Sequence, residues 1–451
     1  MLSSIFDAFV KESPVSVMMR GMMEYVFRPQ RLNEIFESHA KVQYTRELLF
    51  SSLVDLLSLV VCGIHPSVSA AYKAKAASLN VSRGALYQKL NGVETEVSAA
   101  LVRETASELA GLIEQMDGQQ MPLLEGYQVR ILDGNALAAT DHRLKVLRSV
   151  AAAPLPGKSL VVLDPQLRLA VDLFPCEDGH AQERRLFGQV LARVQPGQLW
   201  IADRNMCTLD FLSGIAQRQS AFVIREHQNL PWQAWGDLQS IAMIETGELL
   251  EQPIKIESQG TPLELRRIVL RLSKATRHGD TQIVILTNLP VAVASAIVVS
   301  ELYRERWQVE GLFLTITTNL EAEIETLAYP KAALFSFALA LVTYNILATL
   351  RAALAGVHGV EKVAAALSDF YVVDEIQGTY RGMMIAIPPD HWQVFGLLTL
   401  ADLATVIQGL AAQVNLKRFL KQPRKSKTKT PPQIKDPKQP HVSTAKLLSH
   451  D

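Results

Sequence analysis

Two aspartates, far apart from each other, stand at the ends of strand-like segments, and a tyrosine, an arginine and a glutamate follow later at helical spacing. In the first segment, YQVRILDGN from Tyr127, apolar and β-branched residues run up to Asp133, then Gly134 and Asn135. The second, QLWIADRNM from Gln198, repeats the order, with Asp203 ahead of a polar turn. A carboxylate at the last residue of a buried strand points out of the sheet end, where open α/β sheets build their sites. The third group lies in YRERWQVE, from Tyr303 to Glu310. Gly and Pro are absent from Ala292 to Glu310, so one continuous helix is expected there. Seven residues make almost two turns, which sets Tyr303, Arg306 and Glu310 on one face. Two aspartates and a glutamate are hard oxygen donors suited to Mg²⁺ or Mn²⁺. Taken alone, Arg306 and Glu310 also read as an ordinary i,i+4 ion pair on an amphipathic helix.

The elements that must position these residues have a recognisable order. Between Gly126 and Glu226, strands are expected over Tyr127 to Leu132, Ser159 to Leu163, Arg168 to Leu173, Leu199 to Ala202 and Ala221 to Arg225. Helices are expected around Ala181 to Arg193 and Leu209 to Arg218. Three strands, helix, strand, helix, strand is the order of a ribonuclease-H-like domain, whose first and second carboxylates stand on strands one and four. Gly157-Lys158-Ser159 is not a phosphate loop, because Ala152 stands where the motif needs its opening glycine and a strand follows where it needs a helix.

Asp133 in LDGN, Asp203 in IADRNM and Glu310 inside Y-x-x-R-x-x-x-E resemble the Asp-Asp-Glu transposases of bacterial insertion sequences, specifically the insertion-sequence-four family. The transposon-five transposase is usually taken to share that family's architecture. SPVSVMMRGMM from Ser13, EDGHAQERR from Glu177 and YPKAALFSFALALVTYN from Tyr329 are similar to family segments as well, so the likeness spans most of the chain. The resemblance implies a DNA transposase in which Asp133, Asp203 and Glu310 are catalytic and hold two Mg²⁺ or Mn²⁺ ions. It also implies double-stranded DNA as partner, both element ends and target, and a homodimer in the DNA complex. Tyr303, Arg306 and Trp307 would lie on the DNA. The family pattern continues to a lysine where this chain has Thr317, and Leu314 stands where a second basic residue often sits. The alternatives kept beside this reading are a catalytically impaired DNA-binding relative and a ribonuclease-H-like nuclease without strand transfer.

The whole chain then reads as an α+β/α/β arrangement: a ribonuclease-H-like catalytic domain with a β-rich insertion, preceded and followed by helical regions. The expected divisions are a helical region for DNA end recognition (1–120), the first catalytic part (121–226), the insertion (227–292) and the catalytic completion (293–350). A helical C-terminal region (351–414) and a basic tail (415–451) follow. In the first region, SLNVSRGALYQKLNGVE from Ser78 reads either as a helix-turn-helix presenting Arg83 and Lys89 to a groove or as a plain helical hairpin. In the insertion, Arg266, Arg267, Arg271, Lys274 and Arg277 form a basic stretch that either follows a DNA backbone or protects a sheet edge by charge. Asn135, Arg143, Lys145 and Arg148 follow the first aspartate in a polar loop, facing DNA or solvent. Trp232 and Trp235 are expected in the core, with base stacking as the alternative.

Composition limits the partners. The chain has 451 residues, 48% of them hydrophobic, enough for two or three domains with a large core. Its formal net charge is +0, so DNA must be gripped by local patches. Cys62, Cys176 and Cys207 are too scattered for a disulfide framework, which with the absence of a signal pattern leads to a cytoplasmic expectation. Cys176 and His180 lack the second pair that a zinc site needs. The apolar run from Ala332 to Leu350 carries Ser336, Thr343 and Asn345 and is expected to be a buried helix with no membrane role.

Overall fold

The computed structural model describes residues 3–42, 47–137, 155–276, 279–321, 323–324 and 327–422. A ten-stranded mixed sheet runs through the molecule in the order β3-β2-β1-β4-β5-β10-β9-β8-β6, with β7 pairing β8. The strands are β1 (Gln128–Ala136), β2 (Lys158–Asp164), β3 (Leu169–Cys176), β4 (Gln198–Ala202) and β5 (Ala221–Arg225). They continue with β6 (Gln233–Ala234), β7 (Gln239–Ile244), β8 (Gly247–Ser258), β9 (Thr261–Leu272) and β10 (Gln282–Thr287). β1 to β3 are antiparallel neighbours, whereas β4 runs parallel to both β1 and β5. β4 is buried along its whole length, as expected of a central parallel strand that is apolar from Leu199 to Ala202. This arrangement of the first five strands is consistent with the ribonuclease-H-like order. β1 runs on to Ala136, past the expected end, because β2 keeps pairing with it through Ala136 and Lys158. Segment 227–292 supplies the remaining strands, and β10 joins them to the same sheet by pairing with both β5 and β9.

Strand alternation divides the core in two. Ile131, Val161, Leu199, Ile201 and Val223 face a large cluster shared with the helices before and after the sheet. Leu132, Leu160, Trp200, Phe222 and Ile224 face a smaller one, roofed by the helices Phe187–Leu191 and Leu209–Gln217. At the middle of the large cluster lies the Pro330–His358 helix, started by a proline whose missing N–H costs nothing in the first turn. By length and composition this helix is apolar enough to cross a membrane, but 83% of its most apolar window is buried inside the fold. Thr343, Asn345 and Thr349 within it have internal partners, while the buried Ser336 hydroxyl has none. Asn345 accepts from the Ala170 amide and donates to the Ala170 carbonyl, both at 2.8 Å, so outward backbone groups of edge strand β3 are paired. Thr343 and Thr349 donate back to carbonyls one turn earlier.

The helix expected through residue 310 is two helices, Ala296–Arg304 and Trp307–Thr318. Across the break the amides of Glu305, Arg306, Gln308 and Val309 each reach the carbonyl three residues back, a local tightening to 3₁₀ geometry. No residue type in the sequence marks it. Tertiary contacts override a uniformly helical propensity here, with Arg306 tied to β1 at the break.

Candidate active site

Strand register brings the two aspartates together. Leu132 is the parallel partner of Ala202, and the next residue on each strand is Asp133 and Asp203. β4 ends at Ala202, so Asp203 leaves the sheet in extended backbone and turns its carboxylate to the Asn205 amide at 2.9 Å, capping the 3₁₀ turn Arg204–Met206. Asp133 stays within β1, where its Oδ1 accepts from the Gly134 amide at 2.9 Å. From the broken helix, Arg306 donates through Nη1 to Asp133 Oδ2 at 2.9 Å and through Nη2 to Glu310 Oε1 at 2.7 Å. One guanidinium therefore joins strand one to the glutamate, and the remote acids share one neighbourhood. Two buried donors in it have no partner, Arg306 Nε and Asn135 Nδ2.

The charges feel one another. Burial pushes the Asp133 carboxyl up to about 6; Arg306 and the Gly134 amide oppose that shift, while Asp203 and Glu310 add to it. Burial raises the Tyr303 phenol, with Arg306 and Arg225 pulling it down and Asp203 pushing it up, which places Tyr303 in the same field. For Arg306, burial works against the charge, yet Tyr303, Asp133 and Glu310 outweigh it and hold the guanidinium protonated. A fourth carboxyl, Glu183, also lies within range: burial raises it first and Asp203 second, against Lys158 and the Asn205 side chain. Sequence reasoning did not single out Glu183. The one signal for it was its place in the EDGHAQERR segment after the third strand.

The expected convergence of three acids on a pair of ions is not formed in this arrangement. Among the described residues no three of His, Cys, Asp and Glu are grouped closely enough to hold a metal, Cys176 and His180 included. The cause is local: the Arg306 guanidinium stands between Asp133 and Glu310 as a cation in its own right. The donor set nevertheless suits Mg²⁺ or Mn²⁺ chemically, since the acids are hard oxygen donors and two of them, Asp133 and Glu310, already share the Arg306 charge. A divalent ion bound by both carboxylates requires Arg306 to turn away, and its unpaired Nε shows that its hydrogen bonding is incomplete where it stands.

The expected DNA-contacting residues divide. Trp307 is 64% exposed beside Arg306, whose guanidinium carbon lies 5.2 Å from the ring centre. Arg83 is exposed at the start of the Arg83–Leu90 helix, which Ser82 caps through the Ala85 amide. Lys89 is half-buried with its ammonium 5.4 Å from the Phe36 ring centre, and burial lowers its pKa. Arg266 corrects the expected basic face. It is 9% exposed, forks onto both oxygens of Glu251 and donates to the carbonyls of Leu289 and Ala294, so its charge serves the fold. Arg271 is exposed and paired with Glu248 at 3.2 Å, while Arg267 is held by Glu226. Trp235, expected in the core, is 63% exposed under the Lys255 ammonium. Leu314 is 63% exposed, and the Thr317 hydroxyl donates to carbonyls of its own helix. Arg143, Lys145, Arg148, Arg277 and the basic tail beyond residue 422 lie outside the described residues.

Residues 156–346 match the family model of the transposase DDE domain, a span that contains Asp203 and Glu310 and begins after Asp133. The match supports a DDE transposase, and with it nuclease and transposition chemistry that in such enzymes generally depends on divalent metals. A comparison with curated proteins finds no match. Among solved structures the chain is similar to one in "Cryo-EM structure of piggyBac transposase synaptic complex with hairpin DNA (SNHP)". The TM-score is 0.40 at 9% identity, over 87% of this chain and 85% of that one.

Proposed function

We propose that this protein is a transposase of a bacterial insertion sequence of the insertion-sequence-four kind, with Asp133, Asp203 and Glu310 as its catalytic acids on a ribonuclease-H-like frame. It binds the ends of its element, cuts them in a metal-dependent reaction and joins the freed 3′-OH to target DNA, acting in the cytoplasm as a homodimer that bridges two ends. The observation that carries this reading is the adjacency of Asp133 and Asp203 in strand register, with Arg306 linking Asp133 to Glu310.

Asp133, Asp203 and Glu310 would hold two divalent ions, which supply an ionised water and charge for the leaving 3′ oxygen when bound. The remaining work falls to the chain's own groups. Arg306, released from its two carboxylates, offers a planar fork to a phosphodiester, and its free Nε adds a further donor. Asn135 Nδ2 is a second buried donor with no internal acceptor. Tyr303, whose phenol burial raises above its ordinary range, offers its O–H to a phosphate oxygen. Trp307 presents an open ring beside Arg306 on which a displaced base can stack.

A second reading has an observation in its favour. Leu314 and Thr317 bring no charge to the helix that carries Glu310, as expected of a DNA-binding relative without catalysis. One experiment separates the two: gel shift and strand cleavage on the same DNA, taken from the sequences flanking the coding region, with and without Mg²⁺ or Mn²⁺. Catalysis predicts metal-dependent nicks by the unaltered chain, and binding without nicks by Glu310→Ala. Nicks that persist in Glu310→Ala remove that residue from the site, and binding without nicks by the unaltered chain selects the second reading.

A further inference from the structure

We propose that Asn135 and Ser159 form a subsite beside the catalytic acids for an oxygen of the DNA phosphate next to the one that is cut; the inference rests on the catalytic reading above. Strand register places the two residues. In the ladder between β1 and β2, Ile131 pairs with Leu163, Asp133 with Val161 and Asn135 with Ser159. Ile131, Val161 and Leu163 all belong to the large core cluster, so alternation sets Asp133, Asn135 and Ser159 on that same face. The Trp307–Thr318 helix, which carries Glu310, packs over β1 and β2 there, with Val309 and Leu312 in the same cluster. Asn135 stands two residues beyond Asp133, roughly 7 Å along the strand. That span exceeds the spread of one phosphate's oxygens and suits a step to the neighbouring phosphate.

Three buried polar atoms without a partner follow this line: Arg306 Nε, at the Asp133 end, then Asn135 Nδ2 and Ser159 Oγ. Ser159 is 1% exposed, on a strand whose residues from Leu160 to Leu163 are all apolar and buried. An alanine there would leave no polar atom unpaired, so the hydroxyl costs the fold something that packing does not return. Cross-strand neighbours with complementary groups ordinarily bond to each other, and this amide and hydroxyl do not. Arg306 Nε and Asn135 Nδ2 can only donate, and the Ser159 hydroxyl is free to donate as well. Donors in a row, running on from the guanidinium, suit an anionic group that only accepts, which is what a phosphodiester offers. Asn135 is half-buried, so the subsite opens to the surface through it and has Ser159 as its floor.

The probe is DNA from the sequences flanking the coding region, with single phosphates replaced in turn by methylphosphonate, which removes one charged oxygen. Gel shift in EDTA reads the affinity of the unaltered chain, Asn135→Ala and Ser159→Ala; denaturant midpoints are taken without DNA, and nicking with Mn²⁺. Loss of one hydrogen bond to a charged group weakens binding roughly tenfold or more. The unaltered chain should lose that much when one phosphate adjoining the cut is replaced. Both variants should show the loss on unmodified DNA, be indifferent to that one replacement and stay sensitive to the others. Ser159→Ala should keep an undiminished midpoint, since the hydroxyl it deletes has no partner. If Ser159→Ala binds unmodified DNA like the unaltered chain, the hydroxyl holds an ordered water only and the proposal is overturned, while nicking by the unaltered chain keeps the catalytic reading. If the variants bind weakly yet retain the full methylphosphonate pattern, their effect is structural and the proposal is overturned as well. If the unaltered chain neither binds nor nicks this DNA, the proposal falls together with the reading beneath it.

Discussion

Replacing Asp133 with asparagine is expected to stabilise the chain while destroying its chemistry, and the size of the gain follows from the structure. The Asp133 carboxyl is pushed up to about 6, mainly by burial, and its side chain is 17% exposed, so solvent screens it little. In an unfolded chain an aspartate titrates near about 3.9. The folded value lies above the unfolded one, so the stability contributed by this group is fully present below about pH 3.9 and lost as pH rises through about 6. Roughly two pH units correspond to about 3 kcal/mol of cost to the native state at pH 8, net of the Arg306 bridge, and to about half of that at pH 5. An asparagine keeps the shape and carries no charge at either pH. Denaturant midpoints of the two chains in EDTA, at pH 8 and pH 5, measure the gap. Asp133→Asn should be the more stable at pH 8, with the advantage narrowing toward pH 5. An Asp133→Asn chain that is no more stable at pH 8, or a gap that does not change with pH, would refute the reasoning.

Three further substitutions test other parts. Arg266→Ala should lower stability by about 3–5 kcal/mol, because it strands Glu251 in a buried setting, and should leave DNA affinity unchanged in a gel shift. Asn345→Ala removes the partner of both the Ala170 amide and carbonyl, at about 1–3 kcal/mol for each group left unpaired, measurable by denaturation and by faster amide exchange at Ala170. Trp307→Ala, at an exposed position, should shift stability by no more than about 0.5 kcal/mol and should change the distribution of cleaved DNA ends; a cleavage pattern identical to the unaltered chain excludes the ring from the DNA.

How far the site was legible depended on which physical signal each residue leaves. The positions of Asp133 and Asp203 on the sheet were legible because apolar residues run up to each carboxylate, Ile131 and Leu132 in β1 and Leu199 to Ala202 in β4. Helical spacing found Arg306 and Glu310, although it described their helix as continuous; the break at 305–306 arises from contacts with β1, for which no residue type is a marker. Arg266 was misplaced for a related reason. A run of arginines in a β segment gives no information on which of them turns inward, and the Glu251 partner that holds Arg266 sits on the neighbouring strand. Glu183 was not singled out because its place beside Gly134 is a relation between two segments that no local pattern encodes. The Pro330–His358 helix shows the converse: its apolar composition suits a membrane or a core, and Asn345, the residue that interrupts it, is the one that pairs with edge strand β3.

The most direct test of the central claim is anomalous diffraction from crystals of the full chain soaked in Mn²⁺. The account predicts an anomalous peak bounded by the carboxylates of Asp133, Asp203 and Glu310, with the Arg306 guanidinium turned off Asp133. Full Mn²⁺ occupancy elsewhere on the chain, with Arg306 still bridging Asp133 and Glu310 and no peak between the acids, would contradict it.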